Sequence, residues 1–188
     1  YEQALREFET VLALHDDGSI SLADIYREIG VVYLNTGRYD DAIMAFQEGL
    51  RYDQQNGALL NNVAMVFLEK KDYDRALPYA EKAHKADPLK AIPLNTLGVI
   101  YFYKGDYDKA AQYFQKAIEI APDSSYRYWN AAAVFAKVRK YDIALQYIKK
   151  VVAMESNENK RRAAVIFMKQ LESKAEGLTR ERKGPTAE

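Results

Sequence analysis

The chain has 188 residues, with 27 Lys or Arg against 27 Asp or Glu, two His and no Cys. That length can bury a sizeable core, and zero net charge gives no general pull toward nucleic acid or a membrane surface. Without Cys there is no disulfide, no thiol nucleophile and no Cys-based zinc site.

Taken in chain order, residues 1–18 read as a helix, with Tyr1, Ala4, Phe8 and Val11 at helical spacing. A short break at 19–22 precedes a second helix, expected to begin near Ser21. From there one pattern recurs every 34 residues. Tyr39-Asp40, Tyr73-Asp74, Tyr107-Asp108 and Tyr141-Asp142 are in step, each followed by Ala42, Ala76, Ala110 or Ala144. Tyr33, Phe67, Tyr101 and Phe135 keep the same step ahead of them. A step that fixed means one structural repeat stacked on itself, which works by surface rather than by a catalytic pocket.

Turns fall at Thr36-Gly37-Arg38, Lys70-Lys71-Asp72, Lys104-Gly105-Asp106 and Arg139-Lys140. Each repeat is therefore two antiparallel helices, and four complete repeats span 23–56, 57–90, 91–124 and 125–158. Pro88 and Pro122 follow second helices, where a helix should stop. Pro78 falls inside a second helix and should kink it locally. Tyr1, Ala4, Phe8 and Val11 match Tyr107, Ala110, Phe114 and Ala117, so residues 1–18 are a half repeat without its first helix. The chain opens at Tyr1 in mid-repeat, and upstream sequence is expected. A capping helix is expected over 159–176, with Val165, Phe167, Met168 and Leu171 as its apolar positions, then a disordered tail over 177–188. Residues 159–188 carry eight Lys or Arg against four Asp or Glu, a net of +4 that leaves −4 on the rest.

Helices pack closely where small residues meet. Gly30, Ala64, Gly98 and Ala132 hold one such position, and Ala42, Ala76, Ala110 and Ala144 another. Gly98, Tyr101, Ala110, Phe114 and Pro122 together carry the pattern of the tetratricopeptide repeat, and residues 1–158 resemble that family. The chain departs from it where Tyr26, Leu60, Leu94 and Tyr128 stand for a frequent Trp, and where Gln54 and Ser156 stand for the closing Pro. The resemblance implies an all-α fold, a right-handed α-solenoid of stacked antiparallel helix pairs whose first helices line a concave groove.

On that face the expected peptide-binding residues are Arg27, Asn35, Asn61, Asn62, Asn95, Tyr103, Tyr126, Trp129 and Asn130. Asn is a poor helix former, yet Asn61 and Asn95 lie one period apart, and Asn62 and Asn130 two. A side-chain amide donates and accepts at once, so a ladder of amides can hold an extended peptide by its backbone. The alternative is that Asn is simply a tolerated polar residue on an exposed face. Tyr126 and Trp129 would anchor apolar side chains; the alternative is that such rings pack between repeats or beneath the capping helix. Chaperone-binding members of the family grip a C-terminal carboxylate with basic residues. Here Val31, Ile92 and Thr96 occupy most of those places, so an acidic chaperone tail is not the expected ligand.

No enzyme is expected. His15 and His84 lie far apart on second helices, in no metal-ligand spacing, and are expected at the surface. No nucleophile elbow or phosphate-cradling Gly loop is present, so no cofactor and no metal are expected. The expected partner is a protein or peptide, with a homo-oligomer through repeat ends or groove insertion as the alternative. No nucleic acid is expected, since no basic stripe runs along the repeats. No apolar run is long enough for membrane insertion. No signal peptide is visible, and the cytoplasm is the expected compartment.

Overall fold

The computed structural model describes residues 21–183, with side chains to Thr179. Among the described residues there are nine helices and no strand: α1 (Leu22–Asn35), α2 (Tyr39–Tyr52), α3 (Gly57–Glu69), α4 (Tyr73–Ala86), α5 (Ala91–Tyr103), α6 (Tyr107–Ile120), α7 (Ser125–Lys137), α8 (Tyr141–Met154) and α9 (Glu158–Lys183). The chain divides into two compact units, Tyr1–Ile100 and Tyr101–Glu188. In the first, α1 packs on α2, α2 on α3 and α3 on α4. In the second, α6 packs on α7, α7 on α8 and α8 on α9. Three-residue turns leave no room for anything but an antiparallel return, so each unit is a solenoid segment of stacked helix pairs.

The turn inside each repeat is the same device used four times. The residue just before the second helix donates its N–H back to the aromatic of the first helix: Arg38 to Tyr33 O (2.9 Å), Asp72 to Phe67 O (2.8 Å), Asp106 to Tyr101 O (2.9 Å) and Lys140 to Phe135 O (2.9 Å). This closure needs a left-handed residue just before the donor. Gly37 (φ 75°) and Gly105 (φ 81°) supply it freely, while Lys71 (φ 57°) and Arg139 (φ 59°) occupy the same position as strained side-chain-bearing residues. A left-handed non-glycine costs about 1–2 kcal/mol, partly offset by the ~0.5–1 kcal/mol entropic cost of glycine. Lys71→Gly should therefore stabilise the chain by roughly 0.5–1 kcal/mol. A urea midpoint that failed to rise would show the strain is absorbed elsewhere.

The same turns tie the two helices of a repeat together. Asp72 caps α4 by accepting Arg75 N–H (3.1 Å), and Asp106 caps α6 by accepting Lys109 N–H (3.1 Å). Those backbone bonds first, and the Arg75 and Lys109 side chains after them, hold both carboxyls below the usual carboxylate range. The same cations lie over the first-helix rings, Arg75 4.7 Å from Phe67 and Lys109 4.9 Å from Tyr101. Each ring stacks on a second-helix tyrosine: Phe67 on Tyr79 (5.7 Å), Tyr101 on Tyr113 (5.5 Å) and Phe135 on Tyr147 (5.6 Å). In the first repeat the charges are exchanged: Arg38 pairs with Asp41 (2.7 Å) and itself covers Tyr33 (4.4 Å).

Small residues sit where the helices meet, as their spacing predicts. Ala42, Ala64, Ala76, Ala110, Ala132 and Ala144 are all fully enclosed. Gly30 is the tightest case, because a Cβ there would lie 2.3 Å from the ring of fully buried Phe46. Helix α4 runs from Tyr73 to Ala86 through Pro78 without a break. Pro78 lies on an exposed position of that helix, where a missing N–H is least costly.

Helix α9 departs from expectation at its far end. The sequence places it over 159–176, whereas it runs from Glu158 to Lys183, through part of the segment expected to be disordered. A single Gly177 costs only ~1 kcal/mol against Ala, and Thr179 Oγ1 donates back to Ala175 O (3.0 Å). Helix-favouring Arg and Lys then carry the turn onward. Ala164 and Leu171 are buried against the cluster of Ile148 and Val151 on α8. Residues 184–188, the half repeat at 1–18 and His15 lie outside the described residues.

Candidate functional site

The predicted site residues lie on first helices, and each unit presents its own set. In the first unit α1 touches α3 directly. Arg27, on α1, is one-third exposed and pairs with Glu28 (2.8 Å) and Asp24 (3.5 Å). Asn35, at the end of α1, is exposed, and Asn62 on α3 and Asn95 on α5 are half-buried. Asn61 departs from expectation. It is 3% exposed, and its Oδ1 has no hydrogen-bond partner among the described residues. Arg27 and Asn95 hold the same repeat position and stay partly exposed, so it is the packing around α3 that encloses Asn61 and removes it from the accessible face. Thr96 is enclosed in the same way and donates to Ile92 O (3.2 Å). His84, expected at the surface, is half-buried, with Nδ1 enclosed and without a partner among the described residues.

A cleft of about 400 Å³ opens in this unit where repeats meet, lined by Asp24, Arg27, Asp53, Asn56, Asp87 and Lys90 among others. Its charges are mostly engaged locally. Lys90 pairs with Asp87 (2.9 Å), and Asn56 donates to Asp53 (3.0 Å) while its Oδ1 caps α3 at Leu59 N–H (3.1 Å).

In the second unit the same kind of face is aromatic. Tyr103 and Tyr126 are each 59% exposed. Phe102 packs edge-on against Tyr103 (5.5 Å) and Tyr107 (5.6 Å). Asn130 is half-buried. Trp129, expected as an exposed anchor, is half-buried, its ring 5.6 Å from Phe167 of α9. The terminal helix covers part of it because Phe167, Leu171 and Ala164 need an apolar partner and the Trp129 edge is available. A cleft of about 290 Å³ remains beside it, lined by Tyr126, Trp129, Val151, Glu155, Lys160 and Ala163 with Ser125. Ser125 Oγ donates to Glu155 (2.8 Å) and Asn157 N–H donates to its other oxygen (3.1 Å). The Ser125 bond first, and the backbone bond next, hold the Glu155 carboxyl below the usual carboxylate range.

Sequence reasoning misses this acidic position. Asp53 and Asp87 are one period apart and Glu155 two periods further on, so the signal is present in the same 34-residue step. Among the described residues no group of three or more His, Asp or Glu is placed to hold a metal ion. None of the described helices is long and apolar enough to cross a membrane.

Comparison with known proteins follows the same lines. The tetratricopeptide repeat pattern matches residues 55–123, and a second form of it matches residues 1–58. The solved structure of MamA from Desulfovibrio magneticus RS-1, residue 41 to its end, is 23% identical with a TM-score of 0.68, covering 84% of this chain and 86% of that one. A second MamA crystal structure is 20% identical with a TM-score of 0.66, covering 83% and 89%. YrrB, described as a tetratricopeptide repeat protein with an unusual peptide-binding site, is 24% identical with a TM-score of 0.64, covering 87% and 82%. At these identities the likeness is one of fold. No curated protein matches the chain. The repeat family supports the reading of a protein-interaction scaffold, and its members are typically non-enzymatic. With the repeat matched across residues 1–123 and its helix pairs present in both units, the chain belongs to the tetratricopeptide repeat family.

Proposed function

We propose that the chain is a non-enzymatic scaffold that binds an extended peptide or a partner helix on its first-helix faces. In the first unit Asn62 and Asn95 grip backbone, flanked by Arg27 and Asn35. In the second, Asn130 does so beside Tyr103, Tyr126 and Trp129. The observation that carries this reading is a pair of half-buried amides on successive first helices, Asn62 on α3 and Asn95 on α5, beside second-helix alanines that are fully enclosed. A peptide N–H and C=O can meet one such amide together. YrrB, a protein of the same fold, is described as having a peptide-binding site.

The test is selection of peptides from a displayed library on the immobilised chain, then titration of the best binder. Asn62→Ala with Asn95→Ala should weaken binding about ten-fold, since each lost neutral hydrogen bond is worth roughly 0.5–1.5 kcal/mol. Unchanged affinity with an unchanged circular dichroism spectrum would remove the amide ladder.

Self-association is a second reading, favoured by Leu89 (85% exposed) and Ile92 (58% exposed) around the turn into α5. Light scattering should then show mass rising with concentration, and Leu89→Ser should abolish the rise. A single monomer mass throughout would leave the partner-binding reading alone.

A further inference from the structure

The repeats act as internal controls on one another. Asp24 and Tyr126 occupy the same repeat position three periods apart, as do Arg27 and Trp129, and Asp53 and Glu155. In the first unit these positions line a charged cleft. In the second they line the cleft of about 290 Å³ walled by Tyr126, Trp129, Val151 and Ala163. The fold therefore does not require apolar residues here, because its own first repeat does without them. Tyr126, 59% exposed at the cleft mouth, carries that apolar wall out to the surface.

Charge narrows the occupant. Glu155 is fixed as an anion by Ser125 and the Asn157 backbone, and Lys160 stands at the same rim as a cation. The two opposite charges at one rim offset each other, so the cleft has no net pull on a cation or an anion, and its remaining walls are apolar. The volume lies at the small end of ligand sites, which suits one side chain rather than a whole ligand. Phe167 packs against the Trp129 ring (5.6 Å) and so supports that wall of the cleft.

We infer that this cleft takes one large neutral apolar side chain, aromatic or long aliphatic, of the partner peptide. The inference rests on the scaffold reading and names the side chain that reading leaves open.

Trp129 is the only tryptophan of the chain, so its emission reports the cleft directly. The probes are N-acetyl-phenylalanine amide and N-acetyl-leucine amide, with N-acetyl-lysine amide and N-acetyl-aspartate amide as controls. The two apolar probes should change Trp129 emission saturably and the charged probes should not. Ala163 is exposed, and Ala163→Gln should fill the cleft without disturbing the core and abolish the response. Selected library peptides should share one Phe, Leu or Met position, and Ala163→Gln should weaken them about ten-fold or more, as expected for losing one buried large side chain. Peptides that bind with no such shared position, or an equal response to all four probes, overturn the inference and leave the scaffold reading standing. A saturable response to the apolar probes with no peptide ever retained overturns the inference together with the scaffold reading.

Discussion

Phe46→Ala should destabilise the first unit by about 3–5 kcal/mol, the range for truncating an enclosed aromatic. Phe46 is fully buried on α2, and its ring fills the space that Gly30 leaves on α1. The two residues are one feature, so they should not behave additively. In the native chain Gly30→Ala places a methyl 2.3 Å from the ring and should cost roughly 1–3 kcal/mol by overpacking. In the Phe46→Ala background the clash is gone. There Gly30→Ala should stabilise by up to about 1 kcal/mol, because alanine is the better helix former. Urea unfolding of the four chains of this cycle measures the coupling. Equal costs for Gly30→Ala in both backgrounds would mean that α1 and α2 do not meet as described.

Leu171→Ala should cost about 2–5 kcal/mol, concentrated at the terminal end of the second unit. Leu171 is 1% exposed and joins Ile148, Val151 and Ala164 in one cluster, with Phe167 and Trp129 at its edge. Repeat arrays lose stability locally, because each helix contacts only its neighbours. Loosening α9 should therefore release Phe167 from Trp129 at lower urea than the bulk of the helices unfold. Trp129 emission should shift to the red ahead of the loss of helical circular dichroism, whereas in the native chain the two should lie closer together. Coincident and unshifted curves for Leu171→Ala would show that α9 contributes nothing to the terminal core.

The candidate site is partly legible in the sequence. Tyr103 and Tyr126 lie exposed and Asn62 and Asn95 half-buried on the first helices. Asn61 does not follow, although it shares its repeat position with Asn95 and the partly exposed Arg27. Its exposure depends on which neighbours α3 packs against, and no periodicity encodes that. Trp129 shows the same limit, since Phe167, which covers it, lies 38 residues further along the chain. Glu155 escapes a reading of the sequence because a lone acid after a helix is unremarkable in isolation. Its bond to Ser125, thirty residues away, is what makes it part of a cleft.

By itself the sequence determined the helices, their pairing, their turns and the positions of their small residues. Those features depend on contacts within one repeat, and a 34-residue step writes such contacts along the chain. Only the tertiary structure decided which polar and aromatic side chains on those helices stay accessible, and how far α9 runs past Gly177. Exposure is a property of every helix packed around a residue, and the sum of those neighbours is fixed only when the repeats have stacked.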